Sequence, residues 1–176
     1  EDAVTRTLQA KCGITGLAPT QLQVMDDPLR DNRGWVLSVA HLDVVRAEAL
    51  ADRRADGEVR IAPVVLGGDS STPATTIVEL PEGQAGLPFD HDEIVDLAVE
   101  ALQVRYGERP DPAGLLGGSF TFLRLRELHE IIAGRRLQRD TFRRAMLPFV
   151  EPLDEMEQGS VGRPARLYRR LLESTG

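Results

Sequence analysis

Arginine stands at positions 135, 136, 139, 143 and 144, and again at 163, 166, 169 and 170. A guanidinium fork fits two phosphate oxygens, or O6 and N7 of guanine, in the same bidentate manner. Arg139 and Arg143 are four residues apart, so on a helix they share a face, with Thr141 and Arg144 beside them. Phe142 and Met146 then fall toward another face and can anchor such a helix. Arg163 sits between Gly162 and Pro164, a tip-like setting, and Arg166 follows it. The candidate DNA contacts are therefore Arg139, Thr141, Arg143, Arg144, Arg163 and Arg166. Arg135 and Arg136 are placed to reach the backbone, and Arg169 and Arg170 follow on the returning strand. We expect Arg143 or Arg144 to read a base edge and Arg163 to touch the backbone or the minor groove. The competing reading is a solvated face whose arginines pair with Glu127, Glu130 and Asp140. Asp140 is unfavourable beside phosphate, and Arg136 or Arg144 is its expected partner.

Other chemistry is sparse. His41, His91 and His129 have no metal-ligand spacing, and His129 is expected on a helix body, partly buried or at the surface. Asp90 and Glu93 form a carboxylate pair, but helix capping explains them more simply. Gly117-Gly118-Ser119 lacks the strand and lysine of a phosphate loop. Trp35 is expected in a strand core rather than on an adenine. The single cysteine, Cys12, has no partner for nucleophilic catalysis and excludes both an internal disulfide and a cysteine-based zinc site. No catalytic residue, metal ligand or cofactor is indicated, and the effector contacts are not legible.

These side chains need elements to hold them. Residues 120–133 repeat apolar groups at Phe122, Leu125, Leu128 and Ile132, a helical spacing. Gly134-Arg135-Arg136 reads as a turn. Residues 138–147 read as a shorter helix, closed by Pro148 and Pro152. Residues 150–156 and 165–171 then read as two strands around a tip at 158–164. Helix, turn, shorter helix and arginine-tipped hairpin make a winged helix-turn-helix pattern, whose second helix enters the major groove.

Upstream, residues 2–14 read as the end of an amphipathic helix stopped by Gly13. Strands are expected at 21–25, 35–45, 59–66 and 76–80, with turn chemistry at Asp26-Asp27-Pro28 and Asp31–Gly34 and a loop or short helix at 47–57. A helix follows Asp90 as N-cap, with Glu93 at the third helical position, and stops near Tyr106-Gly107. The stretch Pro110–Gly118 has linker composition, and the domain boundary is placed there.

The charge changes sign at the same place. Residues 1–120 hold 10 basic and 20 acidic residues, and residues 121–176 hold 11 basic and 8 acidic. A basic module on an acidic body points to an anionic partner despite a net charge of −7. With 41% hydrophobic and 28% charged residues the chain is ordinary for a globular protein. It has no apolar run of membrane-spanning length, hence no expected membrane partner. No basic-then-apolar leader opens it, and a reducing cytoplasm is the default expectation. The start at Glu1, without methionine, leads us to expect sequence ahead of it. The ratio of 20 arginines to one lysine carries no functional reading.

Taken together, these residues resemble a known family. Leu87-Pro88-Phe89-Asp90-His91-Asp92-Glu93-Ile94 is similar to the start of the last helix in Nudix domains of the ADP-ribose-binding kind. Phe120-Thr121-Phe122-Leu123-Arg124-Leu125-Arg126-Glu127-Leu128-His129-Glu130, Thr141-Phe142-Arg143-Arg144 and Gly162-Arg163-Pro164-Ala165-Arg166-Leu167-Tyr168-Arg169 resemble the winged-helix half of Nudix-related transcriptional regulators of NAD metabolism. The register Arg6-Thr7-Leu8-Gln9-Ala10-Lys11-Cys12-Gly13-Ile14 resembles the end of the Nudix box, R-E-U-x-E-E-x-G-U. Thr7, Ala10 and Lys11 stand at its three glutamate positions. In a hydrolase those glutamates hold divalent cations, which need hard oxygen ligands that these residues lack.

The resemblance implies an α/β fold, a Nudix-like α/β/α sandwich truncated at its N-terminus, followed by a winged helix-turn-helix domain. It implies an effector-sensing domain over residues 1–110 and a DNA-binding domain over 115–176. The implied function is a DNA-binding regulator, a repressor of NAD biosynthesis or salvage genes. Its implied effector is ADP-ribose or a related NAD-derived nucleotide, sensed without catalysis. The implied partners are a double-stranded DNA operator and a second copy of the chain in a homodimer. The alternative is a pyrophosphatase acting on ADP-ribose-type substrates with an appended interaction module. A third reading is a winged helix that binds protein rather than DNA.

Overall fold

The computed structural model describes residues 2–13, 16–30, 33–50, 61–67, 75–84, 86–157 and 164–171. The chain divides into two compact units, Glu1–Ala101 and Leu102–Gly176.

The first unit opens with helix α1, Asp2–Cys12, which ends where Gly13 turns to φ 59° and its N–H donates to the Gln9 carbonyl at 2.9 Å. Strands β1, Thr20–Met25, and β2, Ser38–Leu42, pair antiparallel, with a register shift between Gln21 and Gln23. A 3-10 turn covers Ala47–Leu50. Strands β3, Val64–Gly67, and β4, Thr75–Val78, form a second antiparallel pair.

The strand expected over 35–45 is shorter at both ends. Trp35 is 72% exposed, not core, and its indole N–H donates to the Asp26 carbonyl at 2.9 Å, which holds it in the connection ahead of β2. At the far end the Asp43 carboxylate accepts the Val44 N–H at 2.8 Å and the Ala18 N–H at 2.7 Å. An aspartate that captures its own next amide competes with the strand ladder and ends it. Of the strand expected over 59–66, residues 59 and 60 lie outside the described residues, and pairing starts only at Val64.

Helix α2, His91–Glu108, begins in the first unit and ends in the second. The capping role expected of the Asp90 side chain is corrected. Its two oxygens accept Nε and Nη2 of Arg30 at 2.7 and 2.8 Å, in a largely buried fork. Arg30 Nη1 also donates to Ser38 Oγ at 2.5 Å, so the pair ties the start of α2 to β2. That arginine bond chiefly holds the Asp90 carboxyl below the usual carboxylate range.

The second unit is built on helix α3, Phe122–Ala133, helix α4, Arg139–Met146, a 3-10 turn at Leu147–Phe149, and the hairpin of strands β5, Val150–Met156, and β6, Arg166–Arg170. Phe120 adds a bridge to Tyr168, each N–H donating to the other's carbonyl at 2.9 and 2.8 Å. Phe120, Leu125, Phe142, Met146, Val150 and Tyr168 form one buried cluster, with Leu116, Phe122 and Leu137 against it. Alternate helical and strand residues thus meet in a single core, the usual source of stability for short helices. The last turns of α2 belong to this unit. Gln103 Nε2 donates to the Ile132 carbonyl at 3.2 Å, and Tyr106 is 3% exposed.

The stretch 110–118, expected to be a linker, lies inside the second unit and is packed. Asp111 is fully buried with φ 43°. Its carboxylate accepts the N–H groups of Leu115 and Leu116 at 2.8 and 2.9 Å, the Tyr106 hydroxyl at 3.3 Å and Arg170 Nη1 at 3.2 Å. Turn-forming Pro and Gly residues serve a compact loop wound around one carboxylate as well as they serve a flexible connection.

Candidate nucleic-acid interface

The turn between α3 and α4 is fixed from both sides. Gly134 takes φ 64°, and its N–H reaches the Glu130 and Ile131 carbonyls, while the Arg135 N–H donates to the Glu130 carbonyl at 3.3 Å. Glycine suits this left-handed position because it carries no Cβ. The Glu130 side chain then spans the turn, accepting the Leu137 N–H at 2.9 Å and Arg136 Nη1 at 3.0 Å. The Leu137 amide chiefly holds this carboxyl below its ordinary range, with Arg136 and Arg126 adding to the effect. Helix α4 starts under a Gln138 cap, whose Oε1 accepts the Thr141 N–H at 2.5 Å.

Phe142 and Met146 bury one side of α4. His129 on α3 is buried as well, at 3% exposure, deeper than expected from sequence. Its ring stands edge-on to Tyr106 and Phe142, at centroid distances of 5.2 and 5.0 Å. Burial pushes its pKa down to about 4, and its Nε2 accepts the Asp111 N–H at 3.4 Å. This histidine is a neutral core residue that joins α3, α4 and the Asp111 loop.

The other face of α4 carries Arg139, Thr141, Arg143 and Arg144, all exposed. Arg143 is engaged: its guanidinium lies 4.5 Å over the Phe122 ring and 5.7 Å from the Tyr168 ring, and Nη2 donates to the Tyr168 hydroxyl at 3.1 Å. Arg144 Nε donates to the main-chain oxygen of Asp140 at 3.4 Å, not to its carboxylate. Arg136 pairs with Glu130. The ion pair expected for Asp140 is therefore absent among the described residues. Asp140 sits instead in the first turn of α4, where the helix dipole favours an anion.

The wing strands divide the remaining arginines. Arg169 pairs with Glu151 across the hairpin. Arg170 is drawn inward to the Asp111 carbonyl, at 2.5 Å, and to its carboxylate. Arg166 stays exposed at the start of β6, and Arg163 lies outside the described residues. Sequence alone missed Arg126. It lines a groove of about 360 Å3 together with Arg139, Arg143 and Arg166. Its local signal is Glu130 one helical turn on, whose Oε1 lies 3.7 Å from its Nε.

On α1, Thr7 and Ala10 are exposed, and Thr7 Oγ1 donates to the Ala3 carbonyl at 2.9 Å. Neither offers a carboxylate to a cation, and the Lys11 side chain is outside the described set. No helix among the described residues is long and apolar enough to cross a membrane.

Residues 112–170 match the family model of the NrtR DNA-binding winged helix domain. Over this segment the chain is similar to an NrtR-type winged helix. The whole chain is 26% identical over 170 residues to the ADPR responsive transcriptional repressor NtrR of Acinetobacter baylyi, with 96% of this chain and 62% of that protein covered. The chain thus spans less than two thirds of that relative's length.

Its fold is similar to that of Shewanella oneidensis NrtR, at a TM-score of 0.64 and 24% identity over 95% of this chain and 70% of the other. The crystal structure of the same protein complexed with a 27mer DNA gives a TM-score of 0.65 at 23% identity, with 95% and 70% covered. A MutT/nudix family protein from Enterococcus faecalis matches at a TM-score of 0.59 and 22% identity, with 98% and 70% covered. The fold is accordingly a Nudix-like unit followed by a winged helix.

Proposed function

We propose that this chain is a DNA-binding transcriptional regulator, a repressor of NAD biosynthesis or salvage genes, controlled by ADP-ribose or a related NAD-derived nucleotide. The observation that carries the reading is α4. Its apolar side is locked into a core by Phe142 and Met146, while Arg139, Thr141 and Arg144 are left facing outward beside an arginine-bearing wing strand. A helix so held can enter a major groove and present donors to base edges. The winged-helix match, the relative described as an ADPR responsive repressor, and the NrtR structure solved with DNA all support it.

In this reading the first unit is the sensing domain, and the second unit, which takes in the last turns of α2 and the Asp111 loop, is the DNA-binding domain. The contacts are Arg139, Thr141, Arg144 and Arg166, with Arg163 at the wing tip and Arg143 braced behind them. The Nudix-like unit binds nucleotide and does not cleave it, because Thr7, Ala10 and Lys11 stand where a hydrolase holds its cations. The protein works in the cytoplasm as a homodimer, whose paired recognition helices meet two half-sites about one helical turn apart. The test is selection of duplexes from a random pool by the full chain, followed by gel shift at moderate salt. A recovered, near-palindromic site bound well above random duplex is expected. Recovery of no preferred duplex, with the protein folded, would remove the reading.

A further inference from the structure

The groove between the start of α3, α4 and β6 has a composition that DNA reading by α4 does not by itself require. Ten residues line it, and four are arginines: Arg126, Arg139, Arg143 and Arg166. None of the ten is a carboxylate. The rest include Phe122, Leu123, Phe142, Ala165 and Tyr168, whose apolar bodies lower the local dielectric and strengthen any charge interaction.

The cations are short of partners. Arg139 and Arg166 make no hydrogen bond or ion pair among the described residues. Arg143 has only a neutral hydroxyl and two aromatic faces. Arg126 Nε is buried without a hydrogen-bond partner. Its nearest carboxylate oxygen, Glu130 Oε1, is 3.7 Å away and already takes the Leu137 N–H. Four guanidiniums around one cavity repel one another, and a desolvated donor without an acceptor costs stability. A tetrahedral oxyanion relieves both. The first N–H groups of α3, at Phe122 and Leu123, border the same groove and have no intrahelical acceptor, which favours an anion further.

We infer that this groove seats a backbone phosphate of the bound DNA, with Arg126 and Arg143 as its held floor and Arg139 and Arg166 as its outer clamp. The inference rests on the DNA-binding reading above and adds a named phosphate site to it. Backbone phosphate is favoured over a free ion because Arg139 and Arg143 belong to the helix that enters the groove. An anion held there lies at that helix's flank, where the duplex places its phosphates. Arg143 is on this account a phosphate contact: Tyr168 and Phe122 fix its guanidinium toward the phosphate, not toward a base.

The experiment measures affinity of the full chain for the selected duplex and for an unrelated duplex between 50 and 200 mM salt. The proteins are wild type, Arg139→Gln, Arg166→Gln and the double variant, each checked by thermal melting. Losing the neutralisation of one phosphate lowers the salt slope by about 0.9. The double variant is therefore expected to lose roughly threefold less affinity over that salt range than wild type does, with each single variant between the two. The change should be the same on both duplexes, because phosphate carries no sequence information.

Wild-type binding with unchanged slopes in the double variant overturns the phosphate seat and leaves DNA binding standing. A loss confined to the selected duplex also overturns it, since that marks base contact. No duplex binding by wild type overturns both. A further arm adds inorganic phosphate at millimolar concentration. If it stabilises wild type but not the double variant while the DNA slopes stay equal, the seat belongs to a free phosphate and the backbone assignment is wrong.

Discussion

Arg143 and Arg144 are neighbours in sequence and differ in what holds them. Arg143 is stacked on Phe122 and bonded to Tyr168, whereas Arg144 has only a main-chain oxygen one turn back. Arg144→Ala should cost about 1–3 kcal/mol on the selected site and relax preference at one base pair. Arg143→Ala should weaken selected and unrelated duplexes alike and cost about 0.5–1 kcal/mol of stability, because no cation then stacks on the Phe122 ring. Affinities on a panel of single-base variants separate the two, and the reverse pattern would reassign the base reader. The arginines themselves were legible in the sequence as a spaced cluster. Which one is braced was not, because Tyr168 lies 25 residues from Arg143 and only the fold brings them together.

His129 gives a second test at this scale. Its folded pKa is about 4, against about 6.5 for a free imidazole. The unfolded chain therefore takes up its proton first as pH falls. Stability is full above about 6.5 and declines between there and about 4, by on the order of 2–3 kcal/mol. Asp90 and Glu130 have lowered pKa values, so their contributions are lost only at lower pH, below the ordinary carboxylate range. His129→Gln keeps an acceptor for the Asp111 amide and removes the titration. Urea midpoints should fall from pH 7 to pH 5 in wild type and stay level in the variant, and equal falls would take His129 out of the account.

At the scale of elements, the helix-turn-helix and its hairpin are the parts a sequence states most openly. Leu125 and Phe142 keep helical spacing, Gly134 marks the left-handed stop, and Pro148 closes the second helix. Trp35, Asp43 and Asp90 were harder, since each is decided by a partner remote in sequence: the Asp26 carbonyl, the Ala18 amide and the Arg30 side chain. The Asp111 loop is the clearest case. Its proline and glycine content signals a turn, and nothing local reveals that Arg170, 59 residues on, supplies the cation. Asp111→Ala strands Arg170 and two amides, so a cost of about 3–5 kcal/mol is expected in urea unfolding of the full chain. Gly134→Ala should cost only about 1 kcal/mol, from the left-handed φ alone. Similar costs for both would mean that the carboxylate does not organise this loop.

Over the whole molecule, residues 1–120 are acidic and residues 121–176 basic within a net charge of −7, so in the proposed reading attraction for DNA comes from the C-terminal unit. In the proposed reading the sensing unit binds nucleotide without cleaving it, so ADP-ribose with magnesium or manganese should survive incubation with the protein. Steady release that tracks protein concentration through repurification would contradict this. A ligand of the folded state must also raise its stability, by about 2.7 kcal/mol at a hundredfold excess over its dissociation constant. Because binding at two sites is thermodynamically linked, any change that ADP-ribose makes in DNA affinity must be returned as the same factor in ADP-ribose affinity. The most direct measurement is calorimetric titration of ADP-ribose into the full chain, alone and with the selected duplex bound. Regulation by ADP-ribose predicts two different dissociation constants, whose ratio equals the change in duplex affinity caused by saturating ADP-ribose. Identical constants with and without DNA would contradict it, even with both ligands bound.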